Sequence, residues 1–380
     1  MPANTVEILF STSDGKKEWV EEITKTFNAR HVKLSDGRVA KVKLNHMRSG
    51  ESIQKILAGD EKPHLWSPVN KGWISRLNEA WQLRHKQDFI ASSRPTARTA
   101  LVLATWEPMA RALGWPEKKI GWEEFLAVAH EPKGWGAYGH PEWGAFKFGH
   151  AHPDYATSAN LSLASLVYAK TGKTAGLTAE DVRREDVRQA LLSFEQKIVH
   201  YGESSNWLTE KMCTLGPSYL SAVPLYESSV TKANAKWPNK AFPLVAISPK
   251  EGTFFEDHPA GVVEAEWCGA IEKEAANLYL DFLGSKEAQE RTSVAGFHPA
   301  DEPLPKDAAV LQSVTDDVFK RLQALWHQVK KKSTVYLVVD TSGSMNGEPM
   351  NAARKAAAGF LRRMEPDDEV QVIAFSDAVR

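Results

Sequence analysis

Cysteine is almost missing from this sequence. The 380 residues hold two, Cys213 and Cys268, and neither stands in a Cys-x-x-Cys or Cys/His spacing, which argues against a zinc site. Two buried free thiols are expected, with one disulfide as the alternative in an oxidising compartment. Long apolar runs are missing too: no stretch reaches the roughly 20 residues needed to cross a bilayer. Charge of one sign does not dominate. Lys+Arg is 47 and Asp+Glu is 48, a formal net charge of -1, which gives no support for nucleic acid or another polyanion as a general partner. The usual catalytic signatures do not occur: there is no Gly-x-Ser-x-Gly, no His-Glu-x-x-His and no Gly-x-x-x-x-Gly-Lys-Ser/Thr. His46, His64, His150 and His152 are scattered. His150-Ala151-His152 reads as a solvated loop rather than a metal pair, and Cys213 has no base beside it. Binding is therefore expected and catalysis is not. At the amino end, Met1-Pro2-Ala3-Asn4-Thr5 passes straight into the strand-like Val6–Phe10 without a basic start and an apolar stretch, so no signal peptide is expected within this chain.

What is present suits a globular protein with two or three cores: 42% of residues are hydrophobic and 25% charged. The 13 tryptophans serve as core anchors or as walls of a cleft. Val6–Phe10 reads as a strand, and Trp19, Val20, Ile23 and Phe27 recur at helical spacing after it. Val39 to Met47 is a second strand, Ile53, Ile56 and Leu57 begin a second helix, and Pro63–Pro68 holds a short third strand. This alternation predicts a parallel sheet with helices on its faces. Thr99–Thr105 is a further buried strand. Thr178-Ala179-Glu180-Asp181 has the form of a capping box and predicts one long helix through Val187, Leu191, Phe194 and Ile198. Ser221–Tyr226 and Leu244–Ile247 are strand candidates, and a helix is expected from about Lys273 to Leu283. Residues 302–333 read as a helical linker carrying Val314, Val318, Leu322 and Leu325 and ending in the solvated run Lys330-Lys331-Lys332.

Thr334–Val339 is nearly all apolar, as expected of a strand buried on both faces. It runs into Asp340-Thr341-Ser342-Gly343-Ser344. In such a turn alternate residues aim at one point, so Asp340, Ser342 and Ser344 offer one carboxylate and two hydroxyls. Hard oxygen donors of low total charge suit Mg²⁺ or Mn²⁺ better than zinc. A helix from about Pro349 to Met364, with Ala353, Ala356, Phe360, Leu361 and Met364 on one face, and a strand from Glu369 to Phe375 complete the order. This segment resembles the start of a von Willebrand factor A domain, whose hallmark is Asp-x-Ser-x-Ser after the first strand. The resemblance implies a metal-ion-dependent adhesion site (MIDAS) that takes Mg²⁺ (or Mn²⁺). That site also draws a Thr and an Asp from later loops, so within residues 334–380 it is incomplete. A half-domain of this size is expected to be marginal in stability alone.

Three hydroxyl-rich stretches stand at strand-to-helix junctions: Ser11, Thr12 and Ser13; Arg48, Ser49 and Ser52; and Thr157 and Ser158. Helix amino ends present unpaired N–H groups and partial positive charge, so such loops hold an anion or a polar ligand. Capping is the alternative role for each, and Asp14 and Glu51 are carboxylates able to occupy the same ends. Arg48 is the candidate for charge recognition, since a guanidinium grips an oxyanion bidentately. Tyr226 and Glu227 either line the cleft or face solvent at a strand end, and Trp66 is expected in the core. Together with Lys62–Pro68, Gly216–Tyr219, Pro249–Thr253 and Gly296–Pro299, these units resemble a bacterial extracellular solute-binding protein of the molybdate- and sulfate-type branch, over residues 5–301. The expected fold class is α/β: a two-lobed type II periplasmic-binding fold followed by the start of a Rossmann-like von Willebrand factor A domain. Lobe one is placed at about 5–100 and 248–301, lobe two at about 101–247.

The resemblance implies a non-enzymatic, ABC transporter-like extracytoplasmic receptor, periplasmic or on the cell surface. It would bind a small polar solute or oxyanion, and its A domain would engage a protein ligand. Membrane attachment would need an anchor absent from this chain. The alternatives are an adhesion protein in which the solute-binding module is only a scaffold, and a cytoplasmic von Willebrand A assembly partner.

Overall fold

The computed structural model describes residues 4–154, 156–202, 204–304, 309–332, 334–362, 364 and 368–376. The chain forms two compact units, Met1–Gln328 and Val329–Arg380. No helix among the described residues is long and apolar enough to cross a membrane.

The first unit contains strands β1 (Thr5–Thr12), β2 (Val39–His46), β3 (Leu65–Ser67), β4 (Arg94–Pro95), β5 (Thr99–Trp106), β6 (Phe148–Ala151), β7 (Ile198–Gly202), β8 (Ala222–Tyr226), β9 (Leu244–Ile247), β10 (Phe255–Glu256) and β11 (Pro259–Val262). They make two sheets. One has the order β2-β1-β3-β11-β4; the other runs β10-β5-β8-β6-β7, with β9 also on β5. β1 pairs in parallel with both β2 and β3, as the alternation of strand and helical segments predicts. Each sheet forms one lobe. Around the first, Ile8, Phe10, Trp19, Ile23, Phe27 and Tyr279 make a core, and Trp66, Trp81 and Phe89 anchor a second cluster. Every residue of β5 is buried.

Two neighbouring segments carry the chain between the sheets. β4 pairs antiparallel with β11 in the first sheet, and β5 pairs with β10 in the second. Residues 96–98 and 257–258 are the crossings. The Thr96 hydroxyl donates to the His258 carbonyl at 2.6 Å, which ties them together. Thr99 and Phe255 thus lie in the second sheet, one residue and eight residues from the boundaries expected at 100 and 247.

Three expectations about the first unit need correction. The capping box at Thr178 is present, its hydroxyl accepting from the Asp181 amide at 3.3 Å, but the long helix is not. Arg184 adopts ψ of 136° and splits it into Ala179–Arg183 and Glu185–Glu195, and Ile198 opens β7 instead. His150 is not solvated: its side chain lies buried on β6, with Nε2 3.1 Å from Glu195 Oε1, itself buried. Val314 lies outside the helix, which spans Asp316–Val329. That helix is packed into the first unit through Val318, Leu322, Leu325 and Trp326. Its Asp316 meets Arg76 at 2.5 Å, and its His327 meets Asp154 at 3.1 Å, so one helix touches both lobes.

In the second unit, β12 (Thr334–Asp340) pairs in parallel with β13 (Glu369–Phe375), connected through the helix Glu348–Leu361. β12 is not buried on both faces: Tyr336 is 56% and Val338 61% exposed. Two strands and one helix lack the area to cover both sides of an apolar strand. On the same helix Ala353 is half-buried while Ala356, Phe360 and Leu361 are exposed. Lys330 is largely covered rather than solvated, with Nζ 3.1 Å from Asp368.

Candidate functional site

A cleft between the lobes collects helix amino ends. Arg48 precedes the helix Ser49–Ala58, Ala156 precedes Thr157–Thr171, Ser204 precedes Ser205–Leu215, and Tyr226 precedes Glu227–Lys236. All four starts line one cavity with about 70 Å³ of open space. The first belongs to lobe one and the other three to lobe two, so the partial positive charge of four helices converges from both sides. Asp14 and Gly15, from the turn after β1, also line it, as do Trp73 and His258.

Short polar contacts hold the walls. The hydroxyls of Ser158 and Ser205 lie 2.6 Å apart and join two helix starts. Ser49 Oγ accepts from the Val69 amide at 3.2 Å. Across the cleft, Trp73 Nε1 donates to Thr157 Oγ1 at 3.1 Å and links lobe one to lobe two. Arg48 keeps 45% of its side chain exposed and sits 3.7 Å from Glu51, which also holds Lys55 at 3.0 Å. Glu51 is thus engaged by side chains and does not occupy the helix end, whereas Asp14 does line the cleft.

Of the residues singled out in the sequence, Arg48, Ser49, Thr157, Ser158 and Tyr226 are brought together at this cavity. Ser11, Thr12, Ser13, Ser52 and Glu227 are not among its lining residues. Ser11, Thr12 and Ser13 are buried at the end of β1 and just beyond it, and Thr12 Oγ1 and Ser13 Oγ have no partner among the described residues. Ser52 is spent on structure, accepting from Trp66 Nε1 at 2.8 Å, with Ser11 Oγ 3.4 Å away. Glu227 turns away to His298, at 2.9 Å. Ser204, Ser205 and Asn206 escaped the sequence reading, although Ser204 is an N-cap whose hydroxyl accepts from the Trp207 amide at 3.1 Å. His258 gave no such signal, since a lone histidine on a crossing strand has no pattern.

Buried ionisable groups surround the floor of the cleft. Lys16 is fully buried, Nζ donating to the Ser67 carbonyl at 3.3 Å, and burial pulls its ammonium down to about 7 against the pull of Asp257. Burial, followed by the charges of Lys16 and Lys232, holds His258 well below the usual imidazole range. Tyr226 is pushed well above its ordinary value by burial first and by Glu256 and Asp14 next, so its hydroxyl stays protonated and able to donate. Glu256 is raised to about 8 by burial and by Asp257, with an Asn70 hydrogen bond opposing.

In the second unit, Asp340 Oδ1 accepts from the Ser342 amide at 2.8 Å, and the Ser342 and Ser344 hydroxyls are 3.0 Å apart. One carboxylate and two hydroxyls at one turn fit a hard divalent cation. Among the described residues no group of three His, Cys, Asp or Glu side chains gathers to hold a metal.

The model of a family described as bacterial extracellular solute-binding protein matches residues 8–298. The sulfate-binding protein SubI of Mycobacterium tuberculosis has a similar fold: TM-score 0.55 and 17% identity, covering 82% of this chain and 96% of that one. So does AfuA of Actinobacillus pleuropneumoniae with fructose-6-phosphate bound, at TM-score 0.55 and 15% identity over 86% and 98% of the two chains. A periplasmic thiamin-binding protein aligns at TM-score 0.59 and 10% identity over 86% and 96%. At such identities the likeness is one of fold: two lobes of the periplasmic-binding kind. An uncharacterized protein of Synechocystis is 43% identical over 49 residues, which make up 13% of this chain and 12% of that protein. The chain thus matches about an eighth of that relative's length.

Proposed function

The chain belongs to the bacterial extracellular solute-binding protein family, whose members bind rather than catalyse, and from that premise we propose that the interlobe cleft captures a small oxyanion. The observation that carries this reading is the meeting of four helix amino ends, from both lobes, at one cavity. Size supports it. A water needs ~10–15 Å³ of such space, so the cavity of about 70 Å³ accommodates roughly five water-sized volumes, the heavy-atom count of a tetrahedral oxyanion. Arg48 supplies a mobile positive charge at the rim, offsetting Asp14, while Ser49, Thr157, Ser158, Ser205 and Tyr226 supply hydroxyls. In this reading the fold is the type II form, and the protein works outside the cytoplasmic membrane and delivers its solute to an ABC-type transporter.

The test is thermal unfolding of the whole chain with sulfate, phosphate and molybdate, each with and without Ser49→Phe plus Ser158→Phe. A hundredfold excess over Kd stabilises a binder by about 2.7 kcal/mol, roughly 2–4 °C at this size. A shift with oxyanions that the double variant abolishes supports the reading; no shift with any of the three removes it.

Residues 334–380 are read as the start of a von Willebrand factor A module. The order of strand, Asp-x-Ser-x-Ser turn, helix and parallel strand supports this, as does the approach of Ser342 to Ser344. Asp340, Ser342 and Ser344 would hold Mg²⁺ or Mn²⁺ there, and the ion would offer a coordination position to a carboxylate of a protein partner.

A further inference from the structure

His258 is the anomalous member of the cleft. It lines the cavity and is 2% exposed, yet neither Nδ1 nor Nε2 has a hydrogen-bond partner among the described residues. Burying an imidazole with both nitrogens unpaired is costly, because each loses its hydrogen bond to water and gains none in return. The backbone that carries the ring is pinned. The His258 amide donates to the Val69 carbonyl at 3.0 Å, its carbonyl accepts from Thr96, and φ is +39°. Charged groups surround the ring, and Asp14 and Arg48 line the same cavity. Lys16 stands in the turn after β1. Lys232 extends from the helix Glu227–Lys236, its Nζ donating to Gly15 O at 3.1 Å and pairing with Glu18 at 3.1 Å. On the crossing itself, Asp257 and Glu256 precede the ring. Phe297 packs edge-on at 5.4 Å, and the unpartnered Tyr226 hydroxyl shares the cleft.

We propose that the cleft binds a tetrahedral oxyanion together with one proton, held between the anion and a ring nitrogen of His258. The inference rests on the reading of the cleft as the solute site. A neutral imidazole has one N–H donor and one lone pair. Sulfate brings only acceptors at neutral pH. The lone pair therefore takes a proton from solvent as sulfate enters, and the new N–H donates to a sulfate oxygen. Hydrogenphosphate carries its own O–H, which donates to the lone pair with no net uptake. Burial and the two lysines keep the empty site's ring neutral, and the arriving negative charge reverses that balance.

Calorimetry of the whole chain with sulfate, in two buffers of different ionisation enthalpy at about pH 7, counts the protons. Uptake of roughly half to one proton per sulfate is expected, with Kd weakening by up to about tenfold per pH unit. Hydrogenphosphate at about pH 8 should bind more tightly than sulfate and without uptake. His258→Asn tolerates the left-handed backbone and offers a donor and an acceptor that do not titrate, so it should bind sulfate with no uptake. Sulfate bound by the wild type with no uptake overturns the proposal. Equal uptake in His258→Asn also overturns it and moves the proton to Lys16. No binding of either oxyanion, together with no thermal shift with molybdate, removes the solute-site reading as well, so the two failures are distinct. If the variant does not fold, the wild-type proton count decides alone.

Discussion

Glu256→Gln should stabilise this protein increasingly as pH rises. Glu256 ends β10 and is 2% exposed; Oε2 has no partner among the described residues. Burial, reinforced by Asp257, lifts its carboxyl from 4.5 to about 8. A carboxyl raised in the folded state binds its proton more tightly folded than unfolded. Its stabilising share is fully present below pH 4.5 and is lost as pH climbs through about 8. At 1.36 kcal/mol for each pH unit between the two values, the loss reaches at most about 5 kcal/mol, and water entry and relaxation bring it to about 2–4 kcal/mol. Glutamine keeps the shape and never ionises. The stability difference between variant and wild type should therefore be near zero at about pH 4.5 and grow to about 2–4 kcal/mol by about pH 9. Taking this difference cancels Lys16, which acts oppositely: its ammonium, lowered to about 7, makes stability rise from there toward 10.5. Urea unfolding of both proteins across that range measures the difference directly. A difference that stays constant with pH refutes the reasoning, because it would mean that Glu256 ionises as easily folded as unfolded.

Glu195→Ala leaves the buried His150 and Tyr201 without their shared carboxylate and should cost on the order of 3–5 kcal/mol in urea unfolding, with Glu195→Gln costing less. Arg76→Ala removes the Asp316 ion pair and the guanidinium lying 4.2 Å from the centre of the Phe319 ring. A loss of about 1–2 kcal/mol and faster amide exchange along Asp316–Val329 are expected, and unchanged exchange there would show that the helix does not depend on lobe one. Asp340, Ser342 and Ser344 are only part of a donor set, so any Mg²⁺ binding by the whole chain in a calorimetric titration should be weak and should fall further in Asp340→Ala; binding undiminished by that change would discard the metal reading of that turn.

Much of the local structure was legible. β1, β2, β5 and β9 follow from apolar runs and alternation, and the helix starts at Ser49 and Thr157 follow from hydroxyls ahead of helical spacing. Ser204-Ser205-Asn206 carried the same signature and could have been found on that ground. The break at Arg184 was illegible because the apolar period continues across it while ψ at one residue changes. β12 misled because an apolar run records which residues favour burial, not whether neighbours are present to bury them.

Sequence alone determined many of the elements, the sparse thiols, the balanced charge and most of the hydroxyl-rich helix starts, all of which depend on residues close together along the chain. Tertiary structure decided which of those starts meet. β11 inserts between β3 and β4, and β8 lies beside β5, so positions 48, 157, 204, 226 and 258 come to one cleft although the chain separates them widely. It also decided the chemistry of the cleft floor. Lys16, Glu256 and His258 are ordinary charged or titratable residues in sequence, and only enclosure by both lobes removes the water that would keep them so.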